Sequence, residues 1–167
     1  MDFSLRPWHM DDLANLVGLA NNYEIAKNLS DQFPHPYTSE NGEAFIRFAT
    51  SHDPLHIFAI DIDGLAAGGI GIHPQSDIYR KNAEMGYWLG QPFWGRGIIS
   101  RAVLQMVDYG FRNFDIDRIY ARPFGTNTAS QKVLEKTGFI LEARIDGAIF
   151  KNGVYFDELI YASRRKK

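Results

Sequence analysis

The stretch QPFWGRGIISRAVLQMVDYGF, beginning at Gln91, carries the pattern richest in chemistry. Gly95 and Gly97 stand directly before an amphipathic run in which Ile99, Val103, Met106, Val107 and Gly110 recur at helical spacing. The first N–H groups of a helix have no intrahelical partners, and the peptide dipoles concentrate partial positive charge there. Glycines at such an end let a ligand approach the backbone closely, which suits a phosphate or pyrophosphate. Arg96 and Arg101 add positive charge, and Ser100 adds a hydroxyl. The same Gly-X-Gly also makes a tight turn, and the loop alone does not decide between turn and anion site. A dinucleotide fingerprint is excluded because Ser100 stands where its third glycine belongs, and a P-loop because GK[ST] is missing.

The elements that must position this loop follow from periodicity. FSLRPW predicts a first strand. HMDDLANLVGLANN predicts a helix on Leu13, Leu16, Val17 and Ala20. LSDQFPHPYT is a loop. TSENGEAFIRFATSH predicts a second helix, capped by Thr38 or Ser39, with Ala44, Phe45 and Phe48 as its buried stripe. The period then changes to two. LHIFAIDI and LAAGGIGIH form a hairpin turning at Asp63-Gly64, and NAEMGYWLG is a further strand. After the glycine loop and its helix come the strand DRIYARP and the helix NTASQKVLEKTGF, which Gly138 ends. A closing hairpin turns near Asn152-Gly153. The order β-α-α-β-β-β-α-β-α-β-β predicts an α+β fold with a mixed sheet, as one domain over residues 1–167.

Composition limits the function. The 167 residues suffice for one core, and 45% hydrophobic with 23% charged residues is a globular profile. A net charge of −2 argues against a nucleic-acid surface, and the terminal RRKK reads as a solvated tail. With no cysteine there is no disulfide, thiolate metal site or cysteine nucleophile. The opening MDFSLRPWHMDD lacks the basic and apolar regions of a signal peptide, and no apolar run is long enough to span a membrane. The cytoplasm is the expected location. His9, His52, His56 and His73 have no metal-ligand spacing with carboxylates, so no metal is expected.

AEMGYWLGQPFWGRGIISRAV, RIYARPFGTNTASQKVLEKTGF and the final DELIYA together resemble the GNAT superfamily of acyl-CoA N-acyltransferases. The nearest branch is the RimJ/RimL-like one, whose members acetylate ribosomal-protein N-termini or small amines. The resemblance implies a mostly antiparallel central sheet of about seven strands flanked by about four helices. It also implies a V-shaped cleft between the fourth and fifth strands, and acetyl-CoA as co-substrate. Backbone amides of Phe93, Trp94, Gly95, Arg96, Gly97, Ile98, Ile99 and Ser100 would hold the pyrophosphate. Asn127 would bind the pantetheine or hold its loop, and Ser130 would lie near the thioester sulfur. Two positions depart from the family pattern: Pro92, where Gln or Arg is usual, and Arg101, where Glu is frequent.

Transfer of an acetyl group to an amine needs an acceptor for the amine proton and a donor for the developing oxyanion. Glu84 is the candidate base, on one face of its strand with Gly86 and Trp88. The alternative for Glu84 is a rim carboxylate paired with an Arg or Lys. Ser130 is the candidate acid; the alternative is a first-turn residue bonded to its own backbone. Asn127 also suits the N-cap of its helix. FPHPYT is the acceptor-side loop, with Phe33, His35 and Tyr37 as contacts and Trp88 as a wall. The expected partners are acetyl-CoA and an amine, small or protein N-terminal. Neither nucleic acid nor membrane is expected, and a homodimer is compatible with the family. Rival readings are a non-catalytic acyl-CoA sensor and a nucleotide-binding module.

Overall fold

The computed structural model describes residues 1–167, folded as seven strands and five α-helices. The strands are β1 (Ser4–Arg6), β2 (Ile57–Ile62), β3 (Leu65–Pro74), β4 (Asn82–Leu89), β5 (Arg118–Ala121), β6 (Ile140–Lys151) and β7 (Val154–Arg164). The helices are α1 (Leu13–Ala20), α2 (Tyr23–Ala26), α3 (Ser39–Ala49), α4 (Ile98–Asn113) and α5 (Thr128–Lys136). The sheet order is β1-β2-β3-β4-β5-β7-β6. Its β1/β2, β2/β3, β5/β7 and β6/β7 pairs are antiparallel, and β4/β5 is parallel. The mixed, mostly antiparallel sheet matches the expectation. The helix count exceeds it by α2, a single turn capped by Asn22, whose side chain accepts from the Glu24 amide. Four residues are too few to show a helical hydrophobic period. No helix is long and apolar enough to cross a membrane.

Both predicted hairpin turns form. Asp63-Gly64 and Asn152-Gly153 have positive φ at both central residues, as a two-residue turn between twisted strands requires. The parallel register runs Asn82↔Arg118, Ala83↔Ile119 and Glu84↔Tyr120, whereas β4 continues to Leu89. The parallel pairing thus ends at Glu84↔Tyr120, one residue before β5 itself ends at Ala121.

The chain forms two compact units. The first comprises Met1–Gly71 and Tyr87–Ala102. Its core gathers Trp8, Leu16, Ala20, Ile25, Tyr37, Ile46, Ala49, Ile57, Ala59, Ala66 and Trp88. Trp8 meets the edge of Phe45 at 5.3 Å between ring centroids. The stripe of α3 differs from the expected one. Gly42, Ile46 and Ala49 are buried, Phe45 is half-buried, and Ala44 and Phe48 face solvent, Phe48 with 51% of its surface. The buried row is the one that packs on α1, with Gly42 against Leu13 and Val17, while Thr38 caps the helix by accepting from the Asn41 amide and the Asn41 side chain accepts from the Thr38 amide. The second unit comprises Ile72–Gly86 and Val103–Lys167. It buries Ile116, Ile119, Leu134 and Leu159, and Tyr161 donates its hydroxyl to Glu135 at 2.9 Å.

Arg6 fastens β1. Its Nε donates to Asp61 at 2.6 Å and its Nη1 and Nη2 to Asp12 at 2.9 Å each. Burial pushes the Asp12 carboxyl up. Hydrogen bonds from Arg6 and the His9 amide, together with the Arg6 charge, outweigh this and hold it below its ordinary value. A carboxyl depressed by folding stabilises the fold above its unfolded value and loses that contribution as the pH falls below it. Thermal melts should therefore show stability falling below about pH 4, and Asp12→Asn should flatten that fall.

Gly68 sits against the end of β4. A Cβ there would lie 2.4 Å from the Trp88 carbonyl oxygen and 2.9 Å from Leu89 Cα, both backbone atoms. Gly68→Ala is expected to destabilise by about 1–3 kcal/mol in denaturant titration, because strand backbone has to move.

Candidate active site

In the first unit, β4 ends at Leu89 and passes into a short 3-10 turn over Gln91–Phe93. Gly95 and Gly97 follow at φ +74° and +69°, and α4 begins at Ile98. Side chains rarely adopt such φ values, so the loop requires glycine for its conformation. A Cβ on either glycine would meet nothing within 4 Å, so the backbone there faces open space. The Arg101 amide donates to Gly97 O at 3.3 Å, and the amides of Gly95 to Ser100 have no acceptor within the chain. Six consecutive N–H groups at a helix entrance, two of them on glycines with open approach, are suited to an anion.

Side chains hold this loop in place. Trp94 Nε1 donates to Leu89 O at 2.7 Å, and Asn22 Nδ2 donates to Gln91 Oε1 at 2.7 Å. The two arginines, expected to add positive charge, have neutral partners and no ion pair, so both charges stay beside the loop. Arg101 Nη2 donates to Met1 O at 2.6 Å with its guanidinium 5.0 Å from the centre of the Phe3 ring. Arg96 donates to Pro92 O at 3.2 Å and to Met1 Sδ at 3.4 Å. The unusual Arg101 thus has a structural use, fastening residues 1–3 to the start of α4.

Three of the four expected acceptor-side residues come together in the same unit. Phe33 lies 5.2 Å from Tyr37 and 5.6 Å from Trp88, ring centre to ring centre. Trp88 and Tyr37 are buried, and burial pushes the Tyr37 hydroxyl up to about 12. The Tyr37 amide donates to Asn21 Oδ1 at 3.0 Å, which fixes the exit of the FPHPYT loop. His35 is exposed and contacts Tyr23, at 5.8 Å between ring centres, rather than this cluster.

The second unit holds the other candidates. Asn127 caps α5, accepting from the Ser130 amide at 3.2 Å, and Gln131 Nε2 ties the preceding turn by donating to Phe124 O and Gly125 O. Ser130 is half-buried in the first turn of α5. Glu84 is paired: Arg122 Nε and Nη2 donate to its two oxygens at 2.9 and 3.2 Å. Arg122 Nη1 also lies 3.6 Å from Glu158 Oε1. Hydrogen bonding to Glu84 raises the Arg122 guanidinium, and burial followed by the charge of Glu84 raises the Tyr120 phenol. Sequence reasoning found Glu84 and missed Arg122, Glu158 and Tyr120. The signal was the alternation of Arg118 and Tyr120 along β5, continued by Arg122 just past its end. No three His, Asp or Glu side chains are grouped to hold a metal ion.

The acetyltransferase (GNAT) domain family matches residues 2–140. The chain belongs to the GNAT acetyltransferase family. RimL, a ribosomal L7/L12 alpha-N-protein acetyltransferase solved in complex with coenzyme A, aligns over 97% of this GNAT chain and 93% of its own, with a TM-score of 0.84 and 25% identity. Spermidine N(1)-acetyltransferase of Escherichia coli (strain K12) is 27% identical over 158 residues, 90% of this chain and 80% of that protein. YdaF of Bacillus subtilis (strain 168) is 33% identical over 105 residues, 63% of this chain and 56% of that relative. The match therefore spans little more than half of YdaF.

Asn127→Ala should lower stability by about 1 kcal/mol through loss of the cap. Asn127→Asp, which keeps an acceptor for the Ser130 amide, should recover most of that in the same denaturant titration.

Proposed function

We propose that this GNAT chain is a cytoplasmic, single-domain N-acetyltransferase that transfers the acetyl group of acetyl-CoA to a primary amine by direct attack in a ternary complex. The observation that carries the reading is the run of unpartnered amides from Gly95 to Ser100 behind two positive-φ glycines. In this reading the amides of Phe93 to Ser100 hold the pyrophosphate of coenzyme A, and Asn127 orders the turn beside the pantetheine. The amine nitrogen attacks the thioester carbon. A backbone N–H of β4 stabilises the oxyanion, and a carboxylate of the Glu84–Arg122–Glu158 group takes the proton. Ser130 gives a proton to the leaving thiolate and regains one from solvent. Phe33, Tyr37 and Trp88 wall the acceptor side, and His35 lies at its rim.

The acceptor is a protein N-terminal amine or a small amine, the two classes to which RimL and the spermidine enzyme belong. A homodimer is compatible with this function, and the reading requires neither nucleic acid nor membrane.

Calorimetry should detect acetyl-CoA binding, and an amine panel should reveal one acceptor class. No binding would overturn the reading. Binding without transfer to any amine would instead make the chain an acyl-CoA sensor. Gly97→Ala forces a side chain into left-handed backbone and is expected to weaken coenzyme A binding roughly tenfold.

A further inference from the structure

Glu158 stands on β7, and its carboxylate lies within the same group as Glu84. Its side chain is 15% exposed and that of Glu84 is 28% exposed. Arg122 commits two hydrogen bonds to Glu84 and none to Glu158, which it meets only at 3.6 Å. The backbone of Glu158 is fixed by its register with Ile145 on β6, its bridge to Phe124, and the Leu159 amide donating to Pro123 O at 3.0 Å. Its carboxylate accepts no hydrogen bond from the chain, and its oxygens are not sealed from solvent, since the one buried side-chain polar atom without a partner is Trp8 Nε1. A mostly buried carboxylate without a hydrogen-bond donor calls for one from outside the chain.

We propose that Glu158, rather than Glu84, is the carboxylate that accepts the hydrogen bond and then the proton of the acceptor amine. The assignment rests on the acetyltransferase reading above. Glu84 would have to give up two hydrogen bonds to a guanidinium before taking a proton, whereas Glu158 gives up none. Arg122, held in place by Glu84, provides counter-charge to Glu158 without occupying its oxygens. In the step the C–N bond forms, the C–S bond breaks, the nitrogen's proton passes to Glu158, and the departing sulfur takes a proton from Ser130, which regains one from solvent as Glu158 releases its own to solvent. Tyr120 stands beside the group at the last β4/β5 pair, so the carboxylate lies by the end of the parallel pairing.

The experiment compares Glu158→Gln, Glu84→Gln and Glu158→Asp with the wild-type chain. It measures kcat on the best amine of the panel and acetyl-CoA affinity by calorimetry, with thermal melts as the folding control. Glu158→Gln is expected to lower kcat at least about a hundredfold while acetyl-CoA affinity stays within about twofold. Glu84→Gln, which loosens Arg122 but leaves the Glu158 carboxylate, is expected to lower it at least about tenfold less than Glu158→Gln does, and Glu158→Asp to retain part of the activity that Glu158→Gln loses. If Glu158→Gln turns over within threefold of wild type, or Glu84→Gln loses more than it does, the assignment is overturned and the acetyltransferase reading stands. If the wild-type chain binds acetyl-CoA and acetylates no amine, both are overturned. If Glu158→Gln does not fold, Glu158→Asp decides: activity within threefold of wild type, with the carboxylate drawn back by a methylene, overturns the assignment, and a larger loss at unchanged acetyl-CoA affinity supports it.

Discussion

The constraint on which the candidate site depends is the parallel pairing of β4 with β5. Hairpins join antiparallel strands with two residues, but a parallel pair needs a long crossover, normally a helix. Here that crossover is α4, so the helix entrance must follow the C-terminal end of β4 at once. The same pairing is brief. It holds three residue pairs and stops at Glu84↔Tyr120, while β4 runs five residues further. One topological requirement therefore yields both an unsatisfied run of amides at the helix mouth and a parallel pairing that ends at Glu84.

Side chains then fix what the topology leaves loose. Trp94 ties the glycine loop to Leu89, and Asn22 holds Gln91 just before it, so the amides of Gly95 to Ser100 are presented by a held backbone. Arg101 keeps its positive charge and has a second use, since its guanidinium holds Met1 O and the Phe3 ring. In the proposed reading, N–H groups and the helix dipole supply the directional contacts to an anion at this entrance, and the two arginines supply only background charge.

Local features were the most legible in the sequence. The two-residue turns, the Thr38 cap, the Asn127 cap and the left-handed Gly138 each depend on a few adjacent residues, and each occurs. The glycine loop was legible for the same reason, although its glycines are required by φ rather than by crowding. What was not legible depends on the far end of the chain. The stripe of α3 fails at Phe48 because hydrophobicity alone does not say which rows of a helix meet α1. Glu84 was found as an acid on a strand, but its partner Arg122 is 38 residues away and Glu158 is further still. A pairing across three strands leaves no local spacing to read.

The tryptophans differ sharply in exposure. Trp8 and Trp88 keep 2% and 9% of their surface, whereas Trp94, hydrogen-bonded at the loop, keeps 44%. These are all three tryptophans of the chain. A soluble quencher such as iodide will thus extinguish mainly the emission of Trp94, the indole nearest the glycine loop. The chain carries a built-in fluorescent reporter of that loop, readable without a label and without knowledge of the acceptor.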